Sequence, residues 1–224
     1  MEELRIPVGE ESVSALLIRP AEAKALYLFA HGAGTGMTHR SMVSNAEGLA
    51  TRGMATLRYQ FPYMEQGSRR PDVPNVAHAT VRAAVVEAAR AMPGVALVAG
   101  GKSFGGRMTS QAQALAPLAG VRGVVFLGSP LHPAGKPSDE RASHLANVQV
   151  PMLFLQGTRD DLADLALLRP VVERLGSRAS LMLFDDADHS FHVPARSGRK
   201  DGDVLASLAD AIAAWIDTTA PARA

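Results

Sequence analysis

The sequence predicts an α/β domain, a mainly parallel sheet with helices packed on both faces. Three observations predict it. Short runs such as ALYLFA (Ala25–Ala30) and VALVA (95–99) are wholly apolar, which suits strands covered on both sides rather than half-exposed ones. Segments of helical period separate these runs, and parallel neighbours require such crossovers. The chain has 224 residues, enough for one sizeable core and short for two. A single domain over 1–224 is therefore expected, with a polar, Pro-containing tail over 217–224 that should fray.

In chain order, residues 4–8 and 13–19 are rich in Leu and β-branched side chains and joined through Gly9, which reads as a hairpin. After Ala25–Ala30 comes a helix over 41–52, with Met42, Ala46, Leu49 and Ala50 on one side and Gly53 as its stop. Strands at 54–58, 95–99, Val121–Leu127, 151–156 and 180–184 alternate with helices at 76–92, Phe104–Leu115, 162–175 and 203–216. Two connections are long, 60–75 and 128–147. Both follow strands, so both should overhang the C-terminal edge of the sheet, where such folds bind ligands.

Composition removes several functions. There is no cysteine, so disulfides, thiolate metal sites and a Cys nucleophile are excluded. The formal net charge of +1 offers no field for nucleic acid or an anionic membrane. The N-terminus is acidic where a signal peptide is basic, and no run approaches the roughly 18 apolar residues of a membrane span. A cytoplasmic protein is expected.

The strongest local signal is Gly101-Lys102-Ser103-Phe104-Gly105, directly after an apolar strand and before a helix. G-x-S-x-G in that context places a serine on a sharp, strained turn, with its hydroxyl exposed at a helix N-terminus. Glycines two residues either side avoid collision with the neighbouring strand and helix. A Gly-rich turn or a phosphate cradle is the alternative. The loop His31-Gly32-Ala33-Gly34 lacks dinucleotide spacing, and no GK[ST] follows at the P-loop distance.

A serine hydroxyl needs a base. His189 stands in a loop just beyond the last strand, at the same sheet edge as Ser103, with His192 as the runner-up. His39, His78, His132 and His144 read as surface histidines, and His31 as a brace for its own loop. The acid that orients the base should fall between Ser and His in the chain. Asp160, after the strand PMLFLQ, is the choice, with Asp161 its rival and Asp164 already on the following helix; one of the first two should cap that helix. The backbone N–H groups of Phe104 and Ala33, with Gly34 as an alternative to Ala33, are expected to hold an oxyanion. Gly32, Gly34, Lys102, Tyr63 and Met64 are candidate substrate contacts. Arg58, Arg69, Arg70 and Lys102 are candidate receptors for a substrate anion, against the reading that Glu65 and Asp72 neutralise them.

The stretches AHGAG, RYQFPYME, GGKSFGGRM, GSPLHPAGKP, PMLFLQGTRD and DADHSFH resemble the α/β-hydrolase superfamily over nearly the whole chain. Within it the sequence is similar to the small, lidless, dienelactone-hydrolase-like branch. The nearest group there includes a testis-expressed hydrolase-like protein and a histone-acetyltransferase-complex subunit. The resemblance implies an eight-stranded sheet of order 1-2-4-3-5-6-7-8 and a triad on Ser103, Asp160 and His189. Dienelactone hydrolases proper use a Cys nucleophile, so their substrate does not carry over. The connection 128–147 has 20 residues and three prolines, too little for a lid. The expectation is a cofactor-free, metal-free serine hydrolase acting on small acyl esters or thioesters, the alternative being a non-catalytic interaction module that keeps the fold.

Overall fold

At the centre of the sheet, β3 (Ala25–Ala30) and β5 (Ala96–Lys102) run parallel, with every residue from Ala25 to Ala30 buried. The structure is a computed structural model describing residues 1–219. Its eight strands form one sheet of order β1-β2-β4-β3-β5-β6-β7-β8. The others are β1 (Glu2–Val8), β2 (Glu11–Ile18), β4 (Met54–Tyr59), β6 (Val121–Leu127), β7 (Met152–Gly157) and β8 (Ala179–Phe184). The opening hairpin is antiparallel and pairs with β4 through β2, while every pairing from β4 to β8 is parallel. This is the order that the resemblance implied.

Alternation along the strands feeds two layers. From β6, Val125 and Leu127 pack with α1 (Arg40–Ala50) and α6 (Asp201–Thr219). Val124 and Phe126 face the other way, towards α5 (Leu165–Leu175), and Phe126 stacks on Phe154 of β7 at 4.5 Å. On that second face α3 (Pro74–Ala91) and α4 (Phe104–Leu115) cover β1 to β5.

Most departures from the sequence expectation sit at element ends. β5 continues past 99 through two glycines to Lys102, because Gly100 and Gly101 keep their pairing with Val125 and Phe126. Helix α3 begins at Pro74 rather than 76, since proline suits the first helical turn, where no N–H partner is lost. The connection 60–75 holds a short helix, α2 (Pro62–Glu65), and 128–147 ends in an eight-residue 3-10 segment, Glu140–Asn147. Of the tail 217–224 expected to fray, 217–219 belong to α6, which runs through Thr219, and 220–224 lie outside the described residues.

Candidate active site

Ser103 closes β5 and caps α4 with φ 50° and ψ −112°, a conformation that L-residues rarely adopt. The close packing around it needs glycine. A Cβ on Gly101 would lie 2.3 Å from the Ala30 carbonyl oxygen, and one on Gly105 would lie 2.6 Å from those of both Ala30 and His31. The turn is thus wedged against the end of β3, and Ser103 Oγ is held above the sheet edge.

Beyond β8, residues 185–192 form a loop tied internally. The Asp188 carboxylate accepts from the N–H groups of Ser190 and His192, at 2.7 and 3.0 Å. The loop crosses the end of β7 so closely that a Cβ on Gly157 would lie 2.3 Å from the Ala187 carbonyl oxygen. It delivers His189 beside Ser103. The serine hydroxyl donates to His189 Nε2 at 2.9 Å, and His189 Nδ1 donates to Asp160 Oδ2 at 2.7 Å. The buried Asp160 carboxylate has two more donors, Gln156 Nε2 at 2.5 Å and the Leu162 N–H at 2.8 Å. Gln156 is itself fixed by accepting the Ser129 N–H.

The alternatives at these positions separate cleanly. His192 is exposed and donates to Asp201 at 2.9 Å, which raises its pKa. Asp161 is exposed, and the helix cap expected of Asp160 or Asp161 belongs to Asp164, which accepts the Ala166 N–H just before α5 begins. The Gly34 N–H donates to the Tyr63 hydroxyl at 3.1 Å. Among the described residues the N–H groups of Phe104 and Ala33 have no acceptor, and both residues line the cleft in front of Ser103.

That cleft has a volume of about 280 Å³ and is framed by both long connections. Pro71, Asp72 and Pro74 contribute from one, Pro130 and Arg141 from the other, with Arg107, Met108 and Leu162 below. None of the five expected substrate contacts is on its wall. Tyr63 is buried and Met64 half-buried beneath the 32–37 loop, which they brace. Gly32 lies against the Lys102 stem, and Gly34 turns that loop with φ 72°. Lys102 points behind His189, where its ammonium donates to the His189 carbonyl and sits 5.7 Å above the Phe191 ring. Burial pulls its pKa down to about 8, against the pull of Asp160 and Asp188.

Of the four candidate anion receptors, Lys102 is engaged at the His189 carbonyl and Arg58 elsewhere in the fold. Arg58 is buried and donates to the Met37 carbonyl. Glu65 binds Arg5 and Ser14, and Asp72 accepts the Tyr63 N–H, so neither neutralises Arg69 or Arg70. Missed from sequence were Arg107, Arg141 and Gln156. Arg107 was legible in principle, standing one helical turn beyond Ser103 on the same side of α4.

Three expected surface histidines are not free at the surface. His132 is buried and donates to Pro133 O while accepting the Asp164 N–H, and His78 pairs with Gln111. His144 pairs with Ser110 Oγ at 2.8 Å. His31 does brace its loop, donating to Gly32 O and accepting the Phe61 N–H. Burial lowers both His31 and His144 to about 4. Between about 4 and the ordinary histidine value the unfolded chain binds protons that the folded chain does not, so stability falls as pH drops through that window. A Tm several degrees lower at pH 5 than at pH 7 is expected, and His144→Gln should flatten the slope; a Tm independent of pH there would contradict it.

Residues 23–217 match the family model described as alpha/beta hydrolase domain. Among solved structures, a dienelactone hydrolase from Anabaena variabilis superposes with a TM-score of 0.79 at 24% identity, covering 97% of this chain and 98% of its own. A serine hydrolase without lid from Xanthomonas campestris gives 0.74 at 19%, covering 96% and 94%. Est1E from Butyrivibrio proteoclasticus, described with ferulic acid bound, gives 0.77 at 16%, covering 96% and 98%. At such identities these likenesses speak for fold alone. The family match spans most of the chain and agrees with its strand order, so this chain belongs to the alpha/beta hydrolase domain family.

Proposed function

We propose that the chain is a serine hydrolase cleaving small acyl esters or thioesters through an acyl-enzyme intermediate. One observation carries the reading: the continuous hydrogen-bonded line from Ser103 Oγ through His189 to Asp160, with free N–H groups beside it. Ser103 attacks the carbonyl while His189 Nε2 takes its proton, and Asp160 stabilises the resulting imidazolium. The Phe104 and Ala33 N–H groups bind the oxyanion, each worth about 3–4 kcal/mol in the transition state. His189 then protonates the leaving alcohol or thiol. Water, deprotonated by His189 in turn, releases the acid and restores the Ser103 hydroxyl. The chemistry asks for no cofactor.

Substrate size follows from the cleft. With about 280 Å³ and, among the described residues, only the eight-residue 3-10 segment Glu140–Asn147 in the connection beside it, the site suits soluble acyl groups. Among p-nitrophenyl esters, acetyl or butyryl should be turned over at least about tenfold faster in kcat/KM than palmitoyl, since the cleft leaves most of a long chain in water. A palmitoyl preference would overturn this. No described helix is long and apolar enough to cross a membrane, and we place the protein in the cytoplasm, acting on small molecules rather than nucleic acid or lipid surfaces. Within the family we place it beside the testis-expressed hydrolase-like group, on the sequence stretches quoted above.

A fluorophosphonate probe tests the core reading. Wild type should be labelled, and Ser103→Ala and His189→Ala should not. Failure of folded wild type to label would favour the interaction module instead.

A further inference from the structure

The wall of the cleft carries charge that the hydrolytic steps do not use. Arg107 stands four residues beyond Ser103, about 6 Å along the axis of α4. Arg141 lies on the same cleft, contributed by the 3-10 segment after β6. Among the described residues neither guanidinium makes an ion pair, and Arg107 Nε is buried with no hydrogen-bond partner. Both burial and the proximity of Arg141 weaken the charged form of Arg107. Arg107 as a whole is half-buried, and an unpartnered buried Nε beside a like-charged neighbour carries a cost that an anion in the cleft would offset.

The other ionisable groups nearby do not complete it. Asp72 is the one acid lining the cleft; its carboxylate accepts the Tyr63 N–H, and burial pushes its pKa up. His144, close enough to feel Arg107, is pushed down towards the neutral form and pairs with Ser110. Beside the nucleophile the chain, nearly neutral overall, therefore concentrates two arginines against a single acid.

We infer that the cleft selects small esters bearing a remote oxyanion, carboxylate or phosphate, held by Arg107 and Arg141 while Ser103 attacks the ester carbonyl. This rests on the hydrolase reading above. Planar guanidinium forks suit oxyacid groups, binding them through paired N–H donors. Because Ser103, Arg107 and Arg141 line one cleft of about 280 Å³, the fitting ester has a short spacer between the carbonyl and the anion.

The test compares mono-p-nitrophenyl glutarate with its uncharged methyl diester, after subtraction of spontaneous hydrolysis. Wild type should favour the anionic ester by about tenfold or more in kcat/KM at low salt, as expected for charge-assisted pairing. Arg107→Gln and Arg141→Gln should each bring the ratio towards one, chiefly through KM. Glutarate and inorganic phosphate, tried as competitive inhibitors, identify the preferred oxyanion by the lower inhibition constant. A wild-type ratio near one, or inhibition by neither ion at millimolar concentration, overturns the inference. Fluorophosphonate labelling separates the failures: labelled enzyme with a ratio near one sinks only the selectivity. Enzyme that neither labels nor turns over either ester, and shows no calorimetric glutarate binding, sinks both.

Discussion

Ser103→Ala is expected to lower kcat by about 10⁵-fold or more, with no loss of folded protein. The serine Oγ is the group that would attack, and among the described residues no second hydroxyl is placed to donate to His189 Nε2. Alanine keeps the Cβ, so the turn wedged against β3 is unchanged. What remains should be the rate supplied by the oxyanion donors and by binding alone. His189→Ala should fall to a similar level, because base and nucleophile act as one unit, and the double variant should cost little more than either. Steady-state assays on a short acyl ester, with circular dichroism to verify folding, check this. Retention of more than about a hundredth of the wild-type kcat in Ser103→Ala would place the nucleophile elsewhere.

Asp160→Asn should cost about 10⁴-fold in kcat. Asp160 Oδ2 accepts from both His189 Nδ1 and Gln156 Nε2, and Oδ1 accepts the Leu162 N–H. Every direction that the carboxylate faces is a donor. An asparagine amide must turn its NH₂ onto one of them, losing a hydrogen bond in a buried position. If it faces His189, the imidazole is driven to the tautomer protonated at Nε2, which cannot accept the serine proton. Asp161→Asn, one residue on, is exposed and should change kcat less than about twofold. The pair of variants therefore decides a choice that the sequence left open; equal losses would remove Asp160 from its role.

How much was legible in the sequence varies with the kind of residue. Strands β3, β6 and α4 fall within their expected bounds because apolar runs and glycine punctuation mark them sharply. Ser103, His189 and Asp160 were legible as candidates because each follows a strand at the same edge of a parallel sheet, whatever the loop shape. The cleft wall was not. Lys102 neighbours Ser103 in the chain, yet strand alternation sends its side chain behind His189 to the His189 carbonyl. Tyr63 has the look of a binding residue, but its ring packs against Phe61 and Phe104 and its hydroxyl accepts the Gly34 N–H. Gln156 acts by linking Asp160 to Ser129, 27 residues earlier in the chain, and Arg141 reaches the cleft from a separate element; local pattern reports neither. Helix ends shifted by a few residues where a cap, such as Asp164, outweighed apolar period.

The backbone of Ser103 has a consequence outside catalysis. Holding a non-glycine residue at φ 50° and ψ −112° costs on the order of 1–3 kcal/mol. Glycine would relieve that strain and, with it, remove the hydroxyl. Selection for thermal endurance alone would therefore drift towards Ser103→Gly, an inert chain that outlasts its parent. Durability and turnover pull in opposite directions at this one position, so any programme that screens this protein by survival must screen by reaction as well.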